Sequence, residues 1–532
     1  MSTPHSGTRQ IARAAGIIMA AMVVSQLFGL LAKILTANAF GTEAESEAFF
    51  AANRFSEILF NLVAGGALAS AFVPTFTGLL AAENRASAWR LASAIANLVT
   101  LVLAGLALLA ALFAPQVVRY LLAPGWNATS PEKELLAAAL LRIQLPSAVI
   151  FGLSGLVMGI LNAHQSFLFP ALTPAMYQLG WIFGLVALAP SMGVFGLAWG
   201  VVIGAALHLG LQLPALWRLA GRRYLPTLGL DYPPLREVMR LMGPRLLSVA
   251  VTQLNFLLNT YLASFQPEGS LSGISLAFPL MIMPQAAIAQ SIATAALPTF
   301  SAQAARGRLD ELRSALGATL RGLLLLAVPA SLGLMLLRVP LVRLIYERGQ
   351  FDARSTELVA WALLWYAAGL VGHSVLEVVT RAFFALKDTR TPTIVTTLAM
   401  ALNLALSIFF SNLFQSIGWM PHGGLALANS LATFLEVGTL LALLRRKTGG
   451  LDGRRSLVAL VQAGIAALGM ALTLGAWLWL SGGLSAAWQA LGGVALGGAV
   501  YILLLFVLKV PELYLVLAFL LRRASRFLAR TK

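Results

Sequence analysis

The chain has 532 residues, of which 59% are hydrophobic and only 11% charged, and its mean hydropathy is +0.83. A soluble domain carries about a quarter charged residues, so this composition excludes an ordinary soluble protein, and the absence of cysteine excludes disulfides, thiol nucleophiles and iron–sulfur centres. The net charge of +17 is dispersed over many short turns, which reads as membrane topology and attraction to anionic lipid rather than nucleic-acid binding.

Apolar runs of about 18 residues or more recur along the whole chain, each long enough to cross a hydrocarbon core about 30 Å thick as a helix. They predict an all-α polytopic membrane protein with fourteen spans, centred near residues 26, 57, 102, 150, 180, 204, 252, 284, 325, 369, 404, 432, 468 and 497. The first run ends in Ala37-Asn38-Ala39, which resembles a signal-peptidase site. It is too long for a signal-peptide core and contains Lys33, so it is expected to stay as span 1.

The basic residues test this count. With both termini cytoplasmic, 26 of the 37 Lys and Arg residues fall in inside segments and six outside, at Arg119, Lys133, Arg338, Arg343, Arg348 and Arg354. That asymmetry is what the positive-inside rule expects of an even number of spans in the cytoplasmic (inner) cell membrane with both termini inside.

The sequence also repeats. VSQLFGLLAKIL from Val24 resembles VTQLNFLLNTYL from Val251, 227 residues on; AFVPTF resembles AALPTF with Pro74 and Pro298 224 apart; and AHQSFLFP resembles ALKDTRTP with Pro170 and Pro392 222 apart. Three matches in one order at one edge of each span predict two copies of a six-helix unit. The expected domains are residues 1–225 (helices 1–6), 226–450 (helices 7–12), and 451–532 (helices 13–14 and a basic cytoplasmic tail). Copies with an even number of spans share one orientation, which predicts a pseudo-two-fold axis along the membrane normal and a central cleft that opens by alternating access. In span 14, Gly492, Gly493, Gly497 and Gly498 form a small-residue face suited to a neighbouring helix or a lipid chain.

Several stretches carry a family resemblance: SQLFGLLAKILTANAFG, ESEAFFAANRFSEILFNLVAGGALASAFVPTF, APGW at 123–126, LMGPRLLSVAVTQLNFLLNTYLASF, LIYERGQF and FFALKDTRTP. In that order they resemble the landmarks of the MurJ (MviN) family, lipid II flippases of the multidrug/oligosaccharidyl-lipid/polysaccharide exporter superfamily. The resemblance runs from about residue 10 to the end of span 12. It implies fourteen helices in two lobes, the last two forming a groove for a polyprenyl tail.

Charged residues inside spans cost about 2.5 to 3.5 kcal/mol at mid-bilayer, so each marks a cavity with a partner. In span 2, Glu47, Arg54, Glu57 and Asn61 fall on one stripe, and in span 1 Gln26 and Lys33 share a face. The predicted cleft is therefore lined by Lys33 and Arg54, which could take the pyrophosphate of a lipid-linked sugar. Arg54 could instead pair with Glu57 or Glu47 to lock helix packing. Gln253, Asn255 and Asn259 polarise span 7 as the second-lobe lining, and Asn403 lies in span 11. His373, Glu377 and Arg381 recur every four residues in span 10, as either a proton-sensitive relay or a Glu377 to Arg381 pair; Glu436 in span 12 is isolated.

The resemblance also exposes departures. Family members usually carry an Arg in span 1, an Arg-Arg pair in span 2 and an Asp-Arg pair entering span 8. The matching positions here are Ala32, with Gln26 for an earlier arginine, then Phe60 and Asn61, then Phe278 and Pro279, while Gly65 replaces an acidic residue. Glu47 and Arg54 keep their positions, and Lys33 lies one residue, about 100°, from the lost span 1 arginine. Either the head group is held differently or the cargo is not ordinary lipid II. Some family members bind sodium with aspartates that spans 7 and 11 lack here, which leaves only amides and carbonyls for such a site, and none is assigned.

No enzyme constellation is visible. The five histidines have no metal-ligand spacing and no phosphate loop appears. The expectation is a non-enzymatic, monomeric flippase without cofactor, moving an undecaprenyl-pyrophosphate-linked glycan, lipid II first, with another polyprenyl-linked polysaccharide as the alternative. The coupling ion is left unspecified among membrane potential, H+ and Na+. A multidrug or cation antiporter is a third possibility, against which the two extra helices count.

Overall fold

The computed structural model describes residues 4–63, 67–219, 223–451 and 453–514. Gly65, Arg222 and the tail residues Arg522, Arg523, Arg526, Arg530 and Lys532 lie outside the described residues, as do the side chains of Arg9, Arg13, Phe60 and Arg245. Among the described residues all regular structure is helical.

In chain order the long helices are α1 (Pro4–Phe40), α2 (Ala44–Val63), α3 (Ala67–Ala81), α4 (Arg85–Leu112), α5 (Pro131–Ala163), α6 (Leu168–Phe183), α7 (Val194–Gly210) and α8 (Pro233–Ala263). They continue with α9 (Ser270–Gln285), α10 (Ser291–Ala305), α11 (Leu309–Leu336), α12 (Arg338–Tyr346), α13 (Ala353–Ala385), α14 (Arg390–Ser416), α15 (His422–Thr448), α16 (Gly453–Leu480) and α17 (Ala486–Val507). Among the described residues twelve helical segments are long and apolar enough to cross a membrane. The two other predicted spans are the polar ones, α2 with α3 and α8, and with them the helices match the fourteen predicted centres one for one.

Prolines shape the crossings rather than ending them. Pro279 and Pro284 lie inside α9, and a single wide turn, Ala286–Gln290, joins it to α10. Proline removes one backbone donor and crowds the carbonyl a turn earlier, and a π-type turn absorbs that defect without leaving the membrane.

The repeat is visible in the backbone of its turns. Gln165, after α5, and Lys387, after α13, both have φ +59°. The Gln165 and Ser166 N–H groups donate to Asn162 and Leu161 carbonyls at 3.0 and 2.9 Å; Lys387 and Asp388 donate to Phe384 and Phe383 at 3.0 and 3.0 Å. Pro170 and Pro392 then stand third in α6 and α14. A second pair follows the same rule: Glu83 after α3 and Gly307 after α10 have φ +56° and +69° and close equivalent bonds to Leu80 and Ala304. A left-handed residue just past a helix satisfies its last carbonyls, which is why both copies end these helices alike.

Packing groups the chain into two compact units, Met1–Ser272 with Arg348–Asp352, and Gly273–Glu347 with Ala353–Lys532. This division by packing falls near residue 272, because α8 packs on α2, α3 and α4; the 225/226 boundary is a division by sequence repeat. Gln253, Asn255 and Asn259, on α8, pack with the first unit; Gln253 is buried and the two asparagines are half-buried.

In the second unit, Leu312, Leu316, Leu323, Val378, Phe383 and Leu440 form the centre of one apolar core. Another ties α16 and α17 to α11 through Leu325, Ala463, Met470, Leu474 and Leu505, so the C-terminal helices group with the second unit rather than apart from it. The Tyr501 hydroxyl donates to the Leu325 carbonyl at 2.9 Å across that seam. Gly492 faces the Trp477 ring so closely that an added Cβ would lie 2.5 Å from it, so at this position the small-residue face serves helix packing.

Candidate functional site

The first unit holds a cavity of about 290 Å3 lined by polar and apolar side chains. Glu45 and Glu47 in the first turn of α2 suit the helix's positive N-terminal end. Further along, Asn53, Glu57 and Asn61 recur every four residues with Ser56 beside them, and this stripe forms one wall. Phe151 of α5, Pro174, Tyr177 and Gln178 of α6, and Val201 and His208 of α7 complete it.

Pro174 leaves the Pro170 carbonyl without its helical donor, and the Thr173 hydroxyl donates to that carbonyl at 2.8 Å instead. Behind the cavity, Ser154 Oγ lies 2.6 Å from His208 Nδ1 and accepts from Gln212 Nε2 at 2.6 Å, a buried network that fixes the histidine ring.

Glu57 is the charged centre. Its two oxygens accept from Asn53 Nδ2 and from Arg54 Nη1, each at 2.8 Å. The Arg54 guanidinium also lies 5.3 Å from the Phe256 ring centre, and its Nε is buried without a hydrogen-bond partner. Asn53 Oδ1 and Ser56 Oγ are likewise buried and unpartnered. Each such orphan costs about 1–3 kcal/mol, so this corner holds unspent capacity for a polar ligand or water.

Lys33 approaches from α1. Its Nζ lies 4.5 Å from the Phe50 ring centre and 4.8 Å from that of Trp181, whose indole N–H donates to Thr36 at 3.1 Å and ties α1 to α6. Among the described residues Lys33 makes no hydrogen bond or ion pair, while Glu57 and Arg54 lie within reach of its charge. Two aromatic faces hold the ammonium without consuming its donors.

The stripe read from the sequence divides in the structure. Arg54, Glu57 and Asn61 come together, with Lys33 nearby, but Glu47 does not join them. It is 2% exposed, accepts Lys133 Nζ at 2.7 Å, and takes the Gly269 and Leu271 N–H groups at 3.0 and 2.9 Å. Glu47 is therefore a structural pin rather than a ligand-facing carboxylate. Gln26 is exposed and is not among the residues that line the cavity.

In the second unit, His373 Nε2 lies 3.0 Å from Asn429 Oδ1, and Glu377 pairs with Arg381 at 3.1 Å, the structural alternative of the two readings. Glu436 accepts the Thr396 hydroxyl. Among the described residues no group of three or more His, Asp or Glu could hold a metal ion.

The sequence reading missed Asn53, Ser56, Tyr177, Gln178 and His208. Asn53 and Ser56 were accessible on α2, one turn before Glu57 and beside it. Tyr177, Gln178 and His208 come from helices whose polar residues are too sparse to make a face.

The family model for "Lipid II flippase MurJ" matches residues 36–495. The chain is 31% identical to the "Lipid II flippase MurJ" of Burkholderia cenocepacia over 78% of this chain and 81% of that one. It is 30% identical to the "Probable lipid II flippase MurJ" of Vibrio cholerae over 93% and 96%. A solved structure, "Lipid II flippase MurJ, inward closed conformation", superposes with a TM-score of 0.78 at 26% identity, covering 92% of this chain and 97% of that one. An inward-facing MATE transporter of the MOP superfamily, 15% identical with a TM-score of 0.66, shares the fold over 80% of this chain and 94% of that one. With the family model spanning most of its length, this multi-pass membrane protein belongs to the MurJ lipid II flippase family.

Proposed function

We propose that this protein translocates lipid II from the cytoplasmic to the outer leaflet by alternating access, with both termini in the cytoplasm, in support of cell-wall synthesis. The observation that carries the reading is the pairing of family membership with two cations, Arg54 and Lys33, beside a cavity whose hydrogen-bonding groups are partly unspent. Arg54 offers a planar fork to a pyrophosphate and Lys33 a point charge held by its aromatic walls. Both are intramembrane cations, which are expensive to keep, and only Arg54 has a carboxylate bonded to it among the described residues. The protein acts as a carrier without cofactor, and its coupling ion would have to be supported by groups other than the aspartates absent from α8 and α14.

A second cargo reading has a specific support. The family's Asp position entering span 8 is Phe278, whose ring packs edge-on against Tyr366 with centres 5.2 Å apart. That position makes core packing rather than a charge, which suits a polyprenyl-linked glycan with a different head group.

The test is complementation. Expressed in a bacterium whose own lipid II flippase is depleted, the chain is expected to restore growth and rod shape. Failure of a correctly inserted, stable chain to do so, together with rescue of a strain lacking an exporter of another polyprenyl-linked glycan, would move the assignment to the second cargo.

A further inference from the structure

We propose that Glu436 is a proton-binding site of the second unit and carries the proton that couples to transport; the coupling rests on the flippase reading, the proton site does not.

Glu436 stands midway along the 27-residue α15, about 20 Å from either end at 1.5 Å per residue, on a helix apolar enough to cross a membrane. It is 7% exposed. One carboxylate oxygen, Oε1, accepts the Thr396 hydroxyl of α14 at 2.5 Å. The other, Oε2, has no hydrogen-bond partner among the described residues, yet it keeps an opening to the surface. One oxygen is therefore fixed and the other is free to exchange.

What sets this acid apart is the lack of a counter-charge. Glu47, Glu57 and Glu377, the other acids that the sequence places within spans, are paired with Lys133, Arg54 and Arg381. Glu436 forms no ion pair among the described residues. The helices packed on α15 are α13 and α14, with a smaller contact to α11. From α13 come His373, turned onto Asn429, and the Glu377–Arg381 pair, closed on itself. From α14 comes Arg390, exposed in its first turn. On α11, Arg313 pairs with Asp310, Glu311 with Arg308 and Arg321 with Glu512. On α15 itself, His422 faces the Leu358 carbonyl at the far end, and the basic last turn, with Lys447 on Asp388, begins about 14 Å further along the axis.

A carboxylate at this depth with no cation is strongly disfavoured, whereas the neutral acid is tolerated. Taking a proton from water on Oε2 forms one O–H bond, cancels the charge and leaves the Thr396 hydrogen bond on Oε1 in place; release returns the proton to water. A hard metal cation fits worse, since it takes about six oxygens and Glu436 with Thr396 offers far fewer. Because the two states of the carboxyl differ by a full charge, any motion that changes the access of Oε2 is linked to proton uptake or release.

The experiment is infrared difference spectroscopy of the full chain in vesicles of phosphatidylethanolamine and phosphatidylglycerol, in sodium-free buffer stepped from acid to alkaline pH. It reads the C=O stretch of a protonated carboxylic acid. The wild type is expected to show such a band and Glu436→Gln to lose it; glutamine is isosteric and still accepts the Thr396 hydroxyl, so the melting temperature should be unchanged. Thr396→Val leaves the carboxyl in place and removes its one hydrogen bond, so the band should persist at a shifted frequency. A band of equal size in Glu436→Gln, a band unmoved in Thr396→Val, or none in the wild type at any pH would overturn the site. Loss of the wild-type band on adding sodium at constant pH would assign it to a metal cation. Coupling is read in the same vesicles loaded with lipid II: an imposed pH gradient should change the translocation rate of the wild type and leave that of Glu436→Gln unaltered. A band without any gradient effect would overturn the coupling. Vesicles that move no lipid II at all would overturn the flippase reading and the coupling with it, while the infrared band still decides the proton site.

Discussion

Glu57 receives the Arg54 guanidinium on one carboxylate oxygen and the Asn53 amide on the other, both at 2.8 Å. This arrangement separates the two roles open to Arg54. If the arginine only neutralises Glu57, removing both charges should restore function. If it meets the cargo, the acid is its holder and the double change should stay inactive. We expect Arg54→Ala to lower complementation or transport at least roughly tenfold, and Arg54→Ala/Glu57→Gln to remain as impaired. The two side chains are only 23% and 35% exposed, but the double variant strands neither charge, so its folding should be nearly unaffected. Recovery in the double variant would assign Arg54 to packing.

Glu47 and Lys133 make the opposite case. Both are nearly fully buried, and Glu47 also satisfies two backbone N–H groups. Removing one partner of such a pair strands the other, at about 3–5 kcal/mol. Glu47→Ala is expected to lower the melting temperature of the purified protein sharply and reduce its membrane abundance. A stable Glu47→Ala protein that fails only in transport would return this residue to the cargo path.

The matched turns give a test of the repeat. Gln165 and Lys387 share φ +59°, a conformation that costs an L-residue about 1–2 kcal/mol and a β-branched one more. Gln165→Val and Lys387→Val should therefore each destabilise by about 1–2 kcal/mol, and by similar amounts. Thermal unfolding in detergent reads both. A large effect at one position with none at the other would contradict the equivalence.

Asp388 supplies a pH dependence. Partial loss of water would raise its carboxyl, yet hydrogen bonds from Lys447 and Thr391 outweigh this and draw it down to about 2. A depressed carboxyl adds stability that is complete above its unfolded value near 4 and is lost as pH falls toward about 2. The stability difference between the wild type and Asp388→Asn should thus be constant from pH 5 to 7 and shrink between pH 4 and 2. A difference that grows on acidification would have the wrong sign. Asparagine can still accept the Thr391 N–H, so the variant isolates the charge.

Much of the fold was written in hydropathy, because a membrane leaves a helix few alternatives and each span announces itself by length. The repeat was legible for a related reason: Pro170 and Pro392 mark the same position in two helices. What the sequence could not convey was which polar residues meet. Glu47 and Arg54 share a helical stripe, yet Lys133, placed by its sequence in an outer loop, captures Glu47 from another helix. Tyr177 and His208 reach the cavity from helices with no polar periodicity. The grouping of α8 was hidden as well, since side-chain packing on α2 and α3 leaves no trace in a repeat offset.

The central claim is that lipid II is the cargo. Its most direct measurement is depletion of this protein in its native host, followed by labelling of lipid II with a probe confined to the outer leaflet. The account predicts that lipid II accumulates facing the cytoplasm, inaccessible to the probe, and that cells lose their shape and lyse. An unchanged outward-facing pool with normal shape in fully depleted cells would contradict it.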